Sequence, residues 1–137
     1  MAEIIAEWVH PIEWGKAREF ARAVHDDHEE AAAVPPTFPV VISADFIERL
    51  VTDILKLDCK RTVHGEQEYE YRRPLRVGEN VRCRASIIED KVKQGRRGGS
   101  MRVVVSEIEM TSEPGGELIG YERSTSIETA PLAGGEA

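Results

Sequence analysis

Between residues 43 and 57 the apolar positions recur with a helical period. Phe46, Ile47, Leu50, Val51, Ile54 and Leu55 follow the i, i+3, i+4, i+7, i+8 spacing that lays one wide stripe along a helix. This stretch is expected to be the central helix, from about 43 to 57. Ser43 is a plausible N-cap, and Pro39 also allows an earlier start. Upstream, Ile12, Ala17, Phe20, Ala21 and Val24 recur at spacings of three to five. They predict a shorter amphipathic helix that starts near Pro11 and runs to about His25, slightly weakened by Gly15. The opening "EIIAEWVH" is short and apolar enough for an edge strand or a packing segment.

From Arg61 onward the period changes to two. In "TVHGEQEYEYRRPL", Val63, Gly65, Gln67, Tyr69 and Tyr71 share one face, against His64, Glu66, Glu68, Glu70 and Arg72. In "VRCRASIIED", Val81, Cys83, Ala85 and Ile87 oppose Arg82, Arg84, Ser86 and Ile88. "SMRVVVSEIEMTS" and "ELIGYERSTSIET" read as a third and a fourth strand, with turns at "RVGEN", "KQGRRGGS" and "EPGGE". Residues 1–130 are expected to form one domain, with a disordered tail over 131–137. Two helices followed by four antiparallel strands in meander give an α+β chain with its helices on one face of the sheet. Such a sheet leaves an edge that needs cover, so a dimer that continues the sheet is expected.

Composition narrows the chemistry. With 137 residues, the chain is long enough to bury a core without metals or disulfides. No apolar run reaches the length of a membrane span and "MAE" opens no signal peptide, which together point to a cytoplasmic protein away from membranes. Cys59 and Cys83 have no metal-site spacing and read as reduced thiols. The net charge of −7 argues against a nucleic-acid binder. Charge is unevenly placed, however. Residues 60–102 carry a surplus of +6, leaving −13 on the rest. That basic strip is either a solvated strand face or a surface for an anionic ligand, with Arg96 and Arg97 in its exposed turn as candidate substrate contacts.

The densest chemistry is "HDDHEE", residues 25–30, followed at once by "AAAVPPTFP". Were the segment helical, His25 and His28 at i, i+3 with Asp26 and Glu29 would suit zinc. His10 and His64 lack the spacing to complete such a set, so no metal is expected. The other candidate is an acid–base pair of Asp26 with His28. Four neighbouring acids would hold the His28 imidazole pKa up, which favours a solvated acidic helix end.

Three stretches resemble the MaoC-like hot-dog family, in its dehydratase N-terminal branch. "AREFARAVHDD" is similar to that branch's first helix and its A-x-x-D-D segment; "VPPTFPV" to its entry into the central helix; and "HGEQEYEYRRPLRVGENVRCRASI" to its first long strand, turn and second strand. The resemblance spans roughly residues 8–128 and implies a hot-dog fold, a long helix wrapped by a curved antiparallel sheet. It also implies hydration or dehydration of an acyl thioester, carried on coenzyme A or a carrier protein, with the acyl tail in a tunnel at a dimer interface. No cofactor is implied. Active members carry a G-D-x-N-P-x-H pattern whose Asp and His handle the water and the α-proton. Asp26 matches that Asp, but His28 stands for the Asn, Glu29 for the Pro and Ala31 for the His.

The dyad is therefore degenerate, and the expected role is a subunit that works with a second MaoC-like chain. Alternatives are a self-sufficient R-specific enoyl-CoA hydratase, a hot-dog thioesterase, or an acyl or small-molecule binding protein without chemistry. His64 and Gly65 are further candidates for substrate contact. His64 otherwise reads as a strand histidine bonding a neighbour, and Gly65 as a bulge or a close backbone approach.

Overall fold

The period-two stretches become strands and the 3.6-period stretches helices in the computed structural model, which describes residues 2–26, 34–96 and 98–131. The elements in chain order are β1 (Ile4–Pro11), α1 (Trp14–Ala23), α2 (Pro39–Arg49), β2 (Thr62–Tyr71), β3 (Asn80–Gln94), β4 (Ser100–Glu113) and β5 (Leu118–Glu128). The strands form one antiparallel sheet in the order β1-β3-β4-β5-β2. With α2 packed into its curve, this is the hot-dog arrangement. "EIIAEWVH" is an edge strand. Among the described residues no helix is long and apolar enough to cross a membrane.

The four-strand meander needs correction. Only β3, β4 and β5 follow one another in space; β2 skips β3 and pairs with β5 at the far edge. The cause lies in residues 72–79, which cross the end of the sheet. At their start the Arg72 N–H donates to Ile119 O (2.8 Å); at their end Gly78 N–H donates to Ile12 O and Ile12 N–H to Glu79 O (both 2.8 Å). Arg73 fastens this crossing by donating to both carboxylate oxygens of Glu79, at 2.7 and 3.0 Å, and by pairing with Glu117. A two-pronged guanidinium clamp of this kind fixes geometry as well as charge.

The central helix starts four residues before Ser43, at Pro39, whose missing N–H has no intrahelical partner to lose. Ser43 is thus no N-cap; it lies on the buried face with Ile42, Phe46 and Leu50. After Arg49 the helix widens into a single π turn, Leu50–Ile54, closed by Leu55 N–H to Leu50 O at 2.8 Å. Lys56 then takes a left-handed φ of 52°, and the helix ends at Ile54, three residues short of 57. Phe38, Ile42, Phe46 and Leu50 meet Val81, Cys83, Ala85, Ile108 and Met110 across the core. Trp8 of β1 stacks on Phe46 with ring centroids 5.4 Å apart. Burying each large side chain contributes about 1.5–3 kcal/mol.

At Gly120 an added Cβ would sit 2.1 Å from Glu70 O, so the β5–β2 seam admits only glycine there. At the end of α1, His25 N–H donates to Arg22 O (3.2 Å) and Asp26 N–H to Ala21 O (2.8 Å), with His25 at a left-handed φ of 58°. This is a Schellman stop with histidine where glycine is usual.

Candidate functional site

The acidic cluster comes first. Because α1 ends at Ala23, His25 lies beyond it in a left-handed turn. Asp26 is half-buried at the end of that turn. His28, Glu29 and Ala31 lie outside the described residues, as does Arg97 and the tail from 132 on. Among the described residues no three His, Cys, Asp or Glu side chains converge as metal ligands would.

On β2 the register shifts between His64 and Glu66, with Gly65 the extra residue. The shift moves His64 off the glutamate face predicted from strict alternation. It now pairs with Ser126, on the face of Gln67, and its Nε2 lies 2.9 Å from Gln67 Oε1. Gly65 makes its close approach to this chain's own Ile127. Arg96 lies exposed in the β3–β4 turn, beyond the sheet end where Arg102, Glu128 and Thr62 fall in register. The basic strip is largely answered by carboxylates. Arg82 donates to Glu7 and Glu113, Arg102 to both oxygens of Asp90, and Lys91 pairs with Glu89. These exposed pairs leave much of the strip as a solvated ionic face.

The most perturbed carboxyl is one that sequence reasoning passed over. Glu122, on β5, is 2% exposed and accepts a hydrogen bond from Ser43 Oγ of α2 at 2.6 Å. Burial pushes its pKa up to about 7, a rise that the Ser43 bond and the nearby Gln67 amide partly oppose. The strand register explains its surroundings. One row of inward side chains runs Cys83, Met110, Gly120, Tyr71; the next Ala85, Ile108, Glu122, Tyr69; the next Ile87, Ser106, Ser124, Gln67. The concave face is therefore apolar over β3 and much of β4, and polar over β5 and β2. Tyr69 is raised to about 12 and Tyr71 higher still, by burial first and then by neighbours that include Glu122. Cys83 is pushed to about 12, mainly by burial. Gln67 lies against both Glu122 and Tyr69, and its amide works to hold both pKa values down. The available signal was "YERSTSIE", in which Glu122, Ser124 and Ser126 occupy alternate positions of a strand expected to face a core.

One cavity opens beside α2 and another at the crossing from β2 to β3. The first, of about 590 Å³, lies toward β1, lined by Trp8, Val41, Phe46, Asp45 and Arg49, with His10 held below its ordinary pKa chiefly by burial. The other, about 330 Å³, is lined by Val34, Pro36, Arg72, Pro74 and Leu75 and ends on Tyr71, whose hydroxyl donates to Pro36 O at 2.6 Å. Val34 and Pro36 on its rim follow Asp26 in the chain, with residues 27–33 between them outside the described residues.

Residues 2–119 match the family model described as "FAS1-like, dehydratase domain region". A "UPF0336 protein" of Thermobifida fusca (strain YX) is 36% identical over 111 residues, 71% of each chain. Among solved structures, a chain of the C-terminally truncated HadBC (3R-hydroxyacyl-ACP dehydratase) complex from Mycobacterium tuberculosis superposes with a TM-score of 0.71 at 24% identity, covering 89% of this chain and 94% of that one. A "MaoC-like dehydratase" gives 0.72 at 17% identity, over 93% of this chain and 42% of that one.

Proposed function

Because the chain belongs to the FAS1-like dehydratase region family of MaoC-like hot-dog proteins, we propose that it is one subunit of an acyl-thioester hydratase or dehydratase. In this reading a second hot-dog chain supplies the acid–base pair, and the present chain supplies scaffold and acyl-binding surface. The thioester is carried on coenzyme A or a carrier protein.

One observation carries the division of labour: Ala31 stands five residues after Asp26, where an acid–base His would be needed. The family's pattern divides the water and the α-proton between two positioned groups, and here only the Asp of that pair is kept. The surface agrees with a partner. Val40, Ala44 and Ile54 lie exposed along α2 and its π turn, with Val40 and Ile54 each more than two-fifths exposed. The unpaired edge β2 adds exposed Val63. Exposed apolar helix positions and a strand edge of this kind invite a second chain. The similar HadBC structure is itself a two-chain complex.

The test is hydration of crotonyl-CoA. The purified chain is expected to give no turnover above background, since loss of a positioned acid–base group removes about 10²–10⁴ in rate. Mixed with a MaoC-like chain that keeps Asp and His, activity is expected, and Asp26→Ala leaves it within two-fold. Brisk activity of this chain alone, abolished by Asp26→Ala or His28→Ala, would overturn the reading.

A further inference from the structure

We propose that the cleft between β1 and α2 binds a small zwitterion with a flat apolar body, of the class of the aromatic α-amino acids. This site is separate from the one assigned to the thioester and does not depend on that reading.

The cleft holds about 590 Å³, within the roughly 300–1,000 Å³ of small-molecule sites. Strand alternation and helical spacing build it together. Trp8 and His10 pair with the core residues Cys83 and Val81, so both point to the concave side of the sheet at its β1 edge. Val41, Asp45, Phe46, Glu48 and Arg49 recur at i, i+4, i+5, i+7 and i+8, the face of α2 that turns toward that edge. β1 is the last strand of the sheet on this side, so no further described strand closes the cleft from outside.

The lining divides by chemistry. Trp8, partly exposed, stacks on buried Phe46, and with Val41 the pair offers an apolar surface to a ring. The charged lining is Asp45, Glu48 and Arg49, all exposed. His10 adds no charge at neutral pH, because burial holds its pKa below the ordinary value against the opposing effect of Glu13 and Asp45. Asp45 and Arg49 stand at i, i+4, the spacing at which opposite charges on a helix pair. Among the described residues, however, no ion pair joins Arg49 to either Asp45 or Glu48. Both signs of charge therefore line one cavity, about 6 Å apart along the helix axis, and each is open to a ligand. A lone cation entering the cleft would meet Arg49, and a lone anion would meet Asp45 and Glu48. A molecule that carries both charges answers both. The planar guanidinium suits a carboxylate, the two acids suit an ammonium, and the Trp8–Phe46 stack suits a flat side chain.

Calorimetric titration of the purified chain with L-tryptophan, L-tyrosine and L-phenylalanine tests this. Each is run beside its matching amine, which lacks the carboxylate, and its matching acid, which lacks the amino group. At least one amino acid is expected to bind ten-fold or more tightly than both of its single-charge relatives. Arg49→Gln is expected to remove the advantage over the amine while leaving amine binding unchanged. Asp45→Asn combined with Glu48→Gln is expected to remove the advantage over the acid. All three positions are exposed, and an unchanged melting temperature checks that the variants fold. Absence of saturable binding by all three amino acids at millimolar concentration overturns the proposal. So does a single-charge relative that binds as tightly as its amino acid in every pair. An advantage that survives both sets of substitutions overturns the placement in this cleft. None of these outcomes touches the thioester reading, which stands or falls on crotonyl-CoA.

Discussion

Replacing Glu122 by Gln is expected to stabilise the protein at neutral and alkaline pH and to cost up to about 1 kcal/mol in acid. The carboxyl is 2% exposed, and its pKa is raised from 4.5 to about 7 chiefly by burial. The folded state therefore holds this proton more tightly than the unfolded chain does. Stability from the group is fully present below the unfolded value of 4.5 and is lost as pH rises toward the folded value near 7. A tenfold difference in proton affinity between the folded and unfolded chain corresponds to about 1.36 kcal/mol, so the loss across that window is about 3 kcal/mol. Glutamine keeps the shape and an acceptor for Ser43 but cannot ionise. Its new N–H₂ costs about 1 kcal/mol if unmatched, independently of pH. Urea unfolding of both proteins at pH 5, 6, 7 and 8 reads the effect as a difference. That difference matters because other carboxylates pull the opposite way. Asp90 and Glu113, each held low first by an arginine hydrogen bond, lose their stabilising effect as pH falls. The variant's advantage is expected to grow by about 1 kcal/mol per pH unit between pH 5 and 7 and then level off. A pH-independent difference, or a variant less stable at pH 8 than at pH 5 relative to the parent, would refute the buried-carboxyl argument.

Three further outcomes follow from single residues. Gly120→Ala, whose Cβ would lie 2.1 Å from Glu70 O, is expected to cost about 3 kcal/mol or more and to detach β2, read as a lowered melting temperature and loss of amide protection over 62–71. His25→Gly, at a φ of 58°, is expected to stabilise by about 1 kcal/mol, with a rise of several degrees in Tm; no rise would mean that the His25 side chain makes a compensating contact. Exposed Cys59 is expected to react promptly with a disulfide reagent at pH 8, while Cys83, buried and pushed to about 12, reacts only on unfolding; two fast equivalents would contradict the core placement.

The parts of the fold legible in the sequence were those set by local periodicity. The apolar stripe from Phe46 to Leu55 located α2, and the alternation after Arg61 located the strands. What periodicity does not encode is which strand lies beside which. The β2–β5 pairing is held by the Arg73–Glu117 ion pair and the Gly120–Glu70 seam, contacts far apart in the chain. The Gly65 bulge reversed the face of His64, because one added residue inverts every position before it. Glu122 was hidden for a related reason. A glutamate inside "GYERSTSIE" looks like an outward residue until the register shows that Gly120, Glu122 and Ser124 all point inward.

The position of β2 also sets a timetable for the nascent chain. Thr62 pairs with Glu128 and Tyr71 with Gly120, so this strand is finished roughly 50–65 residues before its only partner strand exists. At about 5–20 residues per second, ribosomal synthesis leaves it waiting for several seconds. An unpaired strand is a template for the wrong neighbour during that wait. Glu66, Glu68 and Glu70 place a negative charge at every second position of the waiting segment, so two such segments from neighbouring ribosomes repel. The repulsion ends when β5 delivers Arg123, which binds Glu68, Glu70 and Glu107 together. One late arginine thus answers two of the three glutamates that had kept guard.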